Sequence, residues 1–295
     1  MYDYFAYDHP VFRPPSEARS LILQPTIGCS QNQCRFCGMY KTKRFRQRPL
    51  TEVVADIDAI PLSHRGWVQR VFLGDGDGLS YDQANLEALL EVLIARFPNL
   101  NRVGAYASPR SLSGKSVDEL QRLRERKLRI LYFGLESGDA DTLTLANKGY
   151  DPATMLQLCR NAQDAQMKLS VTAILGLAGK ERSREHALAT ADWITQLSPA
   201  YFSLLTLFQR HNDAFFTRIT PLSHGGILAE ALLILEHLAP QRTILRSNHV
   251  SNFLNLAGSY PKDRQRLIDE TRQLLELARR QPWFEQVPDY RESYY

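Results

Sequence analysis

The sequence predicts an α/β protein, a partial TIM barrel of the (βα)6 type with a short C-terminal strand and helix extension. Short apolar, β-rich segments alternate along the 295 residues with segments of helical periodicity, which is typical of parallel βα units. Six or so such units fit an open or partial barrel better than a closed eightfold one. Polar and glycine-rich clusters also follow successive strands, and the carboxyl ends of parallel strands share one edge of the sheet.

The predicted strands and helices alternate as right-handed βα crossovers require. Strands are expected at Leu21–Gly28, Val68–Gly74, Arg102–Ser108, Arg129–Glu136, Leu169–Gly176, Tyr201–Phe208 and Thr243–His249. Helices are expected between them at 50–60, 82–96, 115–127, 152–167, 183–197 and 224–238. Asp82 and Asp151 stand at the N-cap positions of two of these helices, and Pro152 occupies a first helical position.

The same pattern divides the chain into three parts. Residues 1–20 form an N-terminal extension, residues 21–210 form the barrel core, and residues 211–295 form a C-terminal extension that covers the substrate end. The last part contains an amphipathic helix from Asp263 to Arg280, whose basic residues are interpreted as a solvated face.

Composition and charge narrow the class of protein. The hydrophobic fraction is 44% and the charged fraction is 23%, which excludes disordered, collagen-like and coiled-coil chains. No apolar run reaches the roughly 18–20 residues that cross a bilayer, and the N-terminus lacks the pattern of a signal peptide. We therefore predict a cytoplasmic protein without a membrane partner. A net charge of +4 suits a small anionic molecule or RNA as substrate.

Three of the four cysteines lie within nine residues, in the pattern Cys29-x4-Cys34-x2-Cys37 after the first strand. Clustered thiols in a chain without a secretion signal are typical of metal ligands rather than of disulfides. Soft thiolates favour an iron–sulfur cluster, zinc or copper(I), and the lack of a fourth nearby Cys or His argues against closed structural zinc. The remaining cysteine, Cys159, lies among apolar residues of a predicted helix and is expected in the core.

Three further motifs follow later strands, at Gly74–Asp77, Tyr132–Gly138 and Val171–Leu177. Together with the cysteine loop and the aromatic Phe36 before its last cysteine, they resemble the radical S-adenosylmethionine (SAM) superfamily from Leu21 to about residue 179. The loop departs from the superfamily signature by one extra residue between its first two cysteines. The motif after the fourth strand is similar to that of the oxygen-independent coproporphyrinogen dehydrogenases.

This resemblance implies a [4Fe-4S] cluster and SAM as cofactors. It assigns the cluster to Cys29, Cys34 and Cys37, with one iron left open to SAM. The residues implied to contact SAM are Gly74, Asp75, Gly76, Asp77, Glu136, Lys148, Thr172 and Leu175. The implied activity is reductive cleavage of SAM to a 5′-deoxyadenosyl radical that abstracts hydrogen from a substrate, with flavodoxin or ferredoxin as the kind of electron donor required.

Residues at the substrate end are predicted from loops that follow the strands. Arg110 is expected to bind a carboxylate or phosphate, although it equally suits a structural ion pair, and Arg246 is a further candidate for contact with the substrate. The run from Arg246 to Asn252 is dense in hydrogen-bonding side chains, which are costly to bury without partners. We expect Asn248, His249 and Asn252 to face the substrate, with His249 as a proton donor. The alternative is a capping cluster that fixes the last connection.

A basic loop follows the cysteines, and its role is left between two interpretations. It either steers an anionic substrate or an RNA backbone to the site, or is a solvated loop with one or two ion pairs. Its basic residues are Lys41, Lys43, Arg44, Arg46 and Arg48.

Two alternatives to an enzyme stay open. One is a non-catalytic iron–sulfur or zinc protein that acts as an RNA-binding module, and the other is a haem carrier. The zinc alternative accounts for the cysteines and the basic loop but leaves the three strand-end motifs unexplained. Because about 20 residues precede the first strand and no cysteine follows Cys159, we expect neither a cobalamin-binding domain nor an auxiliary cluster. We therefore expect a stand-alone member of the superfamily.

Overall fold

The computed structural model describes residues 4–247, 252 and 255–289. The predicted site residues Asn248 and His249 lie outside the described residues. The described strands are β1 Leu21–Leu23, β2 Thr26–Ile27, β3 Arg46–Gln47, β4 Arg70–Leu73, β5 Arg102–Ala107, β6 Leu128–Glu136, β7 Lys168–Leu175, β8 Tyr201–Thr206, β9 Ile244–Arg246 and β10 Ala257–Ser259. The described α-helices are α1 Leu50–Asp58, α2 Leu62–Arg65, α3 Gln83–Arg96, α4 Pro109–Ser113, α5 Val117–Glu125, α6 Ala140–Leu145, α7 Pro152–Asp164, α8 Gly179–Leu197, α9 Asp213–Phe216, α10 His224–His237 and α11 Arg264–Ala278.

The chain forms two compact units. The first unit comprises Met1–Asn32, Met39–Phe133 and Leu158–Leu169, and the second comprises Gln33–Gly38, Gly134–Gln157 and Ser170–Tyr295.

Parallel strands form the centre of the first unit. β1 pairs with β4, β4 with β5, and β5 with the first part of β6, so the strands follow the order of the chain. The strands read as apolar runs because a parallel sheet is covered on both faces. The carboxylate of Asp82 caps α3 by accepting a 3.1 Å bond from the amide of Asn85, as the sequence predicts.

The second unit has the same construction. β7 pairs with β8 and β8 with β9 in parallel, and β10 closes the edge antiparallel to β9. α10 packs against α8 and α11, with its apolar side chains buried. The predicted N-cap at Asp151 is confirmed, because its carboxylate accepts from the amide of Thr154 over 2.9 Å. In both units the carboxyl ends of the parallel strands carry the predicted motifs.

The α/β class with a mainly parallel sheet is confirmed, and the bounds of two predicted strands are corrected. The segment predicted as one strand at Leu21–Gly28 is divided into β1 and β2, because the chain bends at Pro25, and β2 ends before Gly28, which adopts a φ of +76°. β2 pairs antiparallel with β3, inside the predicted basic loop. The last predicted strand is shorter than expected, since β9 ends at Arg246.

Within the part of the chain that the structure describes, we find no helix with both the length and the apolar character needed to cross a membrane.

Candidate functional site

The first cysteine of the loop, Cys29, lies in the first unit against the Gly74–Asp77 turn. The amide of Gly76 donates to the carbonyl oxygen of Gly28 over 3.0 Å, and the sulfur of Cys29 lies 3.8 Å from the carbonyl oxygen of Gly76. A Cβ at position 76 would stand 2.8 Å from both the Cβ of Cys29 and the ring of Tyr40. Glycine is required at position 76 because the backbone of the turn approaches the cysteine this closely.

Asp75 fixes the residue that precedes this cysteine. Its carboxylate is fully buried and accepts from the backbone amide of Gly28 (2.9 Å), the side-chain amide of Gln24 (2.7 Å) and the ammonium group of Lys43 (2.7 Å). Lys43 also donates to the backbone carbonyl oxygen of Asp8. A buried carboxylate requires such donors and a counter-charge. Lys43 therefore serves the fold, although the sequence places it in the basic loop.

Asp77 fixes the residue that follows the cysteine. Its carboxylate is fully buried and accepts from the amide of Ser108 (3.2 Å), from the hydroxyl of Ser108 (2.6 Å) and from the hydroxyl of Ser30. Burial raises the pKa of Asp77, and the serine hydrogen bonds oppose that rise. Arg110 of α4 adds a 3.1 Å bond to the carbonyl oxygen of Ser30. The cysteine loop is thereby attached to the end of β5.

Asp75 and Asp77 thus bracket Cys29, and their carboxylates already accept hydrogen bonds from protein donors. The carbonyl oxygen of Gly74 accepts from the hydroxyl of Thr26 over 3.3 Å. The carbonyl oxygen of Gly76 instead faces the sulfur of Cys29. Contacts from this turn to SAM stay a prediction.

The other two cysteines lie in the second unit, in an apolar environment. Cys34 is buried, and Cys37 is half-buried against the same cluster. The ring of Phe36 meets the ring of Phe215 edge to face, with centroids 6.4 Å apart. The other members of this cluster are Leu145, Ala146, Ile174, Leu177, Leu207, Phe216 and Ile219. Apolar side chains therefore shield this half of the loop from water.

Backbone contacts in the second unit fix the same half of the loop. The amide of Arg35 donates to the carbonyl oxygen of Ala146 over 2.8 Å, and the side-chain amide of Asn212 donates to the carbonyl oxygen of Phe36 over 2.5 Å. A Cβ on Gly38 would lie 1.4 Å from the carbonyl oxygen of Arg210. Asn212 is a site residue that the sequence analysis missed, because a lone asparagine in a loop gives no local signal of a contact 176 residues away.

Glu136 and Lys148 form an ion pair at the end of β6. The Lys148 nitrogen lies 2.9 Å from a carboxylate oxygen of Glu136, and the two side chains are 8% and 12% exposed. Glu136 has a φ of +69°, which is strained for a residue with a side chain and is typical of functional sites. A Cβ on Gly134 would lie 2.0 Å from this carboxylate, so a glycine leaves room for the pair. The sequence predicts both members as SAM contacts.

Thr172 and Leu175 of β7, both predicted to contact SAM, lie on opposite faces of the strand. Thr172 and Ile174 are half-buried on one face, whereas Leu175 is buried on the other. Side chains alternate along a strand, so Ile174 shares the face of Thr172. Ile174 also packs against the cluster around Cys34. A contact of Thr172 or Leu175 with SAM stays a prediction.

The predicted substrate residues of the last connection have different surroundings. The Arg246 side chain is exposed, and its guanidinium carbon lies 5.5 Å from the ring centre of Tyr201. The Asn252 amide donates to the carbonyl oxygens of Leu204 (2.6 Å) and Ser247 (3.1 Å), and its oxygen accepts from Thr206 (2.8 Å). These contacts are those of a capping residue, and a substrate contact from Asn252 stays a prediction.

The chemistry of the donor set fits an iron–sulfur cluster. The three thiols of the loop are not consumed in disulfides. Cys29 has a backbone turn shaped around it, and Cys34 and Cys37 have an apolar shield. In the described residues no three His, Cys, Asp or Glu side chains, those of the loop cysteines included, are grouped to hold a single metal ion. The turn and the shield around the three thiols suit an iron–sulfur cluster, and its ligation by Cys29, Cys34 and Cys37 stays a prediction.

Comparison with known proteins identifies the family. Residues 23–194 match the family model of the radical SAM superfamily. Because the match covers more than half of the chain, the chain belongs to the radical SAM superfamily, a class of enzymes, as the sequence predicts. A comparison with curated protein sequences gives no match.

Three solved structures illustrate the shared fold. The radical SAM methyltransferase TsrM from Kitasatospora setae, solved with cobalamin and a [4Fe-4S] cluster, has a TM-score of 0.51 and 19% identity over 63% of this chain and 36% of its own. The coproporphyrinogen III oxidase HemN from Escherichia coli, a radical SAM enzyme, has a TM-score of 0.55 and 20% identity over 74% and 52%. Methylornithine synthase (PylB) has a TM-score of 0.53 and 13% identity over 89% and 82%. Sequence identities this low show a shared fold and no more. The present chain spans about a third of the length of TsrM and about half of the length of HemN.

Proposed function

We propose that this protein is a radical SAM enzyme that cleaves SAM reductively and abstracts hydrogen from an organic substrate. The observation that carries the proposal is the surroundings of the cysteine loop, where a glycine turn admits Cys29 and an apolar cluster shields Cys34 and Cys37. Membership of the superfamily implies the [4Fe-4S] cluster and SAM. A one-electron reductant such as flavodoxin or ferredoxin is the partner this chemistry requires.

Cys29, Cys34 and Cys37 would hold the cluster as thiolates. Three protein ligands leave one iron of a cubane for SAM. When bound, the cluster would supply the electron for reductive cleavage of SAM to methionine and the 5′-deoxyadenosyl radical, the species that would abstract hydrogen from the substrate. The protein's part is to orient the cofactor and to exclude water, for which Phe36 and Phe215 contribute apolar surface on the side of Cys34 and Cys37.

The polar residues at the strand ends would orient SAM. Lys148 is the cation suited to the SAM carboxylate, since an ammonium group forms charge-assisted hydrogen bonds with carboxylates. Glu136 holds Lys148 at 2.9 Å and is itself held in a strained backbone conformation. The carbonyl oxygen of Gly76 is the acceptor suited to the SAM ammonium group, because the side chains of Asp75 and Asp77 accept from protein donors. Thr172 would donate to the ribose, and Ile174 would pack against the adenine.

Anaerobic reconstitution tests the proposal directly. The purified chain is supplied with iron and sulfide, reduced with dithionite and incubated with SAM, and 5′-deoxyadenosine is measured together with iron content. We expect a brown protein that forms the nucleoside. Replacement of any one of the three loop cysteines by alanine is expected to abolish both iron incorporation and nucleoside formation.

Cys159 provides the matched control. It is fully buried in α7, so Cys159→Ala removes a thiol without touching the loop and is expected to retain both iron and activity. Full cluster content in the triple variant of Cys29, Cys34 and Cys37 contradicts the ligand assignment. A colourless zinc protein, or a brown protein that makes no nucleoside, contradicts the proposed enzyme.

A further inference from the structure

A buried glutamate in the second unit binds the backbone directly after β7. Glu230 of α10 is 2% exposed, and one carboxylate oxygen accepts from the amide of Gly176 over 2.7 Å. The other oxygen accepts from the hydroxyl of Ser183 on α8 over 2.5 Å. Gly176 has a φ of +79°, so the chain leaves the strand in a conformation that favours glycine. The carboxylate thus serves as the acceptor for the backbone amide at which the chain leaves β7.

A buried histidine connects the same glutamate to the residue after β6. His186 of α8 is fully buried, and its Nδ1 lies 2.7 Å from the hydroxyl of Ser137, directly after Glu136. Its Nε2 lies 3.7 Å from the carboxylate of Glu230 and has no hydrogen-bond partner within the described residues. The hydroxyl of Ser137 also accepts from the amide of Asp139 over 3.0 Å. The buried pair of His186 and Glu230 thus contacts the residues that follow both β6 and β7.

Burial of the ionisable side chains of Glu230 and His186 costs folding free energy. Burying an ionisable side chain in an otherwise apolar helix packing is disfavoured, and Glu230 is retained where it supplies the acceptor for the amide of Gly176 and the hydroxyl of Ser183. Burial raises the pKa of Glu230 to about 7 and lowers the pKa of His186 to about 4. The residues served by the pair are the turn at Gly176 and the residue next to Glu136. Both belong to motifs that the proposed function assigns to SAM.

Ser137, His186 and Glu230 are the residue types of a hydrolytic triad. Their burial excludes hydrolytic activity. Ser137 and His186 are fully buried, and Glu230 is 2% exposed, so no substrate reaches the hydroxyl. The hydroxyl of Ser137 is also engaged by the amide of Asp139. His186 and Glu230 therefore act through the backbone of the turns that they hold.

We propose that Glu230 and His186 are positioning residues for SAM, which hold the turns after β6 and β7 in the conformation that binds the cofactor. This inference rests on the proposed function, because it assumes that SAM binds at these strand ends. Glu230 acts on the β7 turn through the amide of Gly176, and His186 acts on the β6 turn through Ser137.

The test compares three variants in the reconstituted full chain. Glu230→Leu removes the acceptor for Gly176, while Glu230→Gln retains an oxygen acceptor and about the same volume. Glu236→Leu is the control, since Glu236 lies on the same helix but is half-buried and pairs with Arg272, 2.7 Å away. The measurements are iron content, the Kd of SAM by equilibrium dialysis, and the KM for SAM against kcat for nucleoside formation.

We expect Glu230→Leu to keep its iron and to raise the Kd and KM of SAM at least about tenfold, because a displaced turn loses contacts at the cofactor. Glu230→Gln is expected to restore both to within about threefold of the original, and Glu236→Leu to leave both unchanged. In the protein without cofactors, Glu230→Leu is expected to speed amide hydrogen exchange in the segment 176–179.

The outcomes separate this inference from the proposed function. If the original protein carries its cluster but binds no SAM, both proposals are wrong. If it binds SAM and Glu230→Leu binds SAM equally well, only the positioning role is wrong. If Glu230→Leu does not fold, Ser137→Ala replaces it, since that change deletes one buried hydroxyl without adding bulk. An unchanged Kd of SAM in Ser137→Ala then overturns the inference, and a rise of about threefold supports it.

Discussion

Two buried carboxylates, one in each unit, perform the same task with different partners. Asp75 in the first unit accepts from the amide of Gly28, and Glu230 in the second unit accepts from the amide of Gly176. Both glycines have positive φ, of +76° and +79°, and both stand beside a motif of the candidate site. Asp75 has a cationic partner, Lys43, at 2.7 Å. Besides the amide of Gly176, the partners of Glu230 among the described residues are a hydroxyl at 2.5 Å and a histidine nitrogen at 3.7 Å.

The difference shows how charge determines what such a carboxylate contributes. With the ammonium group of Lys43 beside it, the carboxylate of Asp75 fixes the loop before Cys29 through charge-assisted hydrogen bonds. Without such a cation, burial raises the pKa of Glu230 to about 7, so its protonation changes in the neutral range. The hold of Asp75 on the loop before Cys29 should therefore depend on Lys43, and the hold of Glu230 on the turn after β7 should depend on pH.

Loss of the counter-ion at Asp75 is expected to have the largest effect. Lys43→Met leaves a fully buried carboxylate without its cation, and breaking such a pair from one side costs about 3–5 kcal/mol. The free energy of unfolding, measured with urea on the protein without cofactors, should fall by that amount. Combining it with Asp75→Asn should recover part of the loss, because the unpaired charge is then removed.

A neighbouring lysine is the control for this prediction. Lys41 is exposed and donates to the carbonyl oxygen of Asn32, so Lys41→Met is expected to change the free energy of unfolding by no more than about 0.5 kcal/mol. A loss of less than about 1 kcal/mol for Lys43→Met would mean that the ion pair contributes little, and the contrast between the two anchors would be lost.

Alanine at the two glycines should sharpen the comparison. Gly28→Ala and Gly176→Ala each place a Cβ on a left-handed residue, which costs about 1 kcal/mol net of unfolded-state entropy. The loss of stability should be similar, while the functional losses should differ. Gly28→Ala should lower iron content, and Gly176→Ala should weaken SAM binding with iron retained.

Asparagine variants provide the matched control, since Asn tolerates positive φ better than Ala. Gly28→Asn should retain more iron than Gly28→Ala, and Gly176→Asn should bind SAM more tightly than Gly176→Ala. Equal loss of iron in both alanine variants would indicate that the two turns do not have separate roles.

Local patterns in the sequence predicted much of the fold. The apolar β-rich runs gave the strands of both units, and the N-caps at Asp82 and Asp151 are present as predicted. The pairing of β2 with β3 was missed, because two strands of two residues each are stabilised by contacts across the fold rather than by their own pattern.

The candidate site was less predictable, since long-range partners decide what its residues do. Asp75 and Asp77 are predicted as SAM contacts by resemblance, and that contact stays a prediction. What the sequence does not reveal is that donors on distant residues also bond to both carboxylates. Lys43 could not be assigned to Asp75 from sequence, because the two are 32 residues apart. Glu230 did leave a signal, as a single acid within the apolar run of α10.

The pH dependence of stability tests the uncompensated anchor at Glu230. Its pKa is raised from 4.5 to about 7 in the folded state, so the folded protein holds a proton that the unfolded chain has released. Stability from this group is therefore present at low pH and is lost as pH rises through about 7.

Glu230→Gln has no such titration. Its free energy of unfolding should therefore rise relative to that of the original protein between pH 5 and 8, by up to about 1.4 kcal/mol per pH unit. His186, with its pKa lowered from 6.5 to about 4, and the nearby Asp139 are present in both proteins, so their contributions largely cancel in the difference. A difference that stays constant across this range would show that Glu230 does not titrate there, and the contrast with Asp75 would then rest on geometry alone.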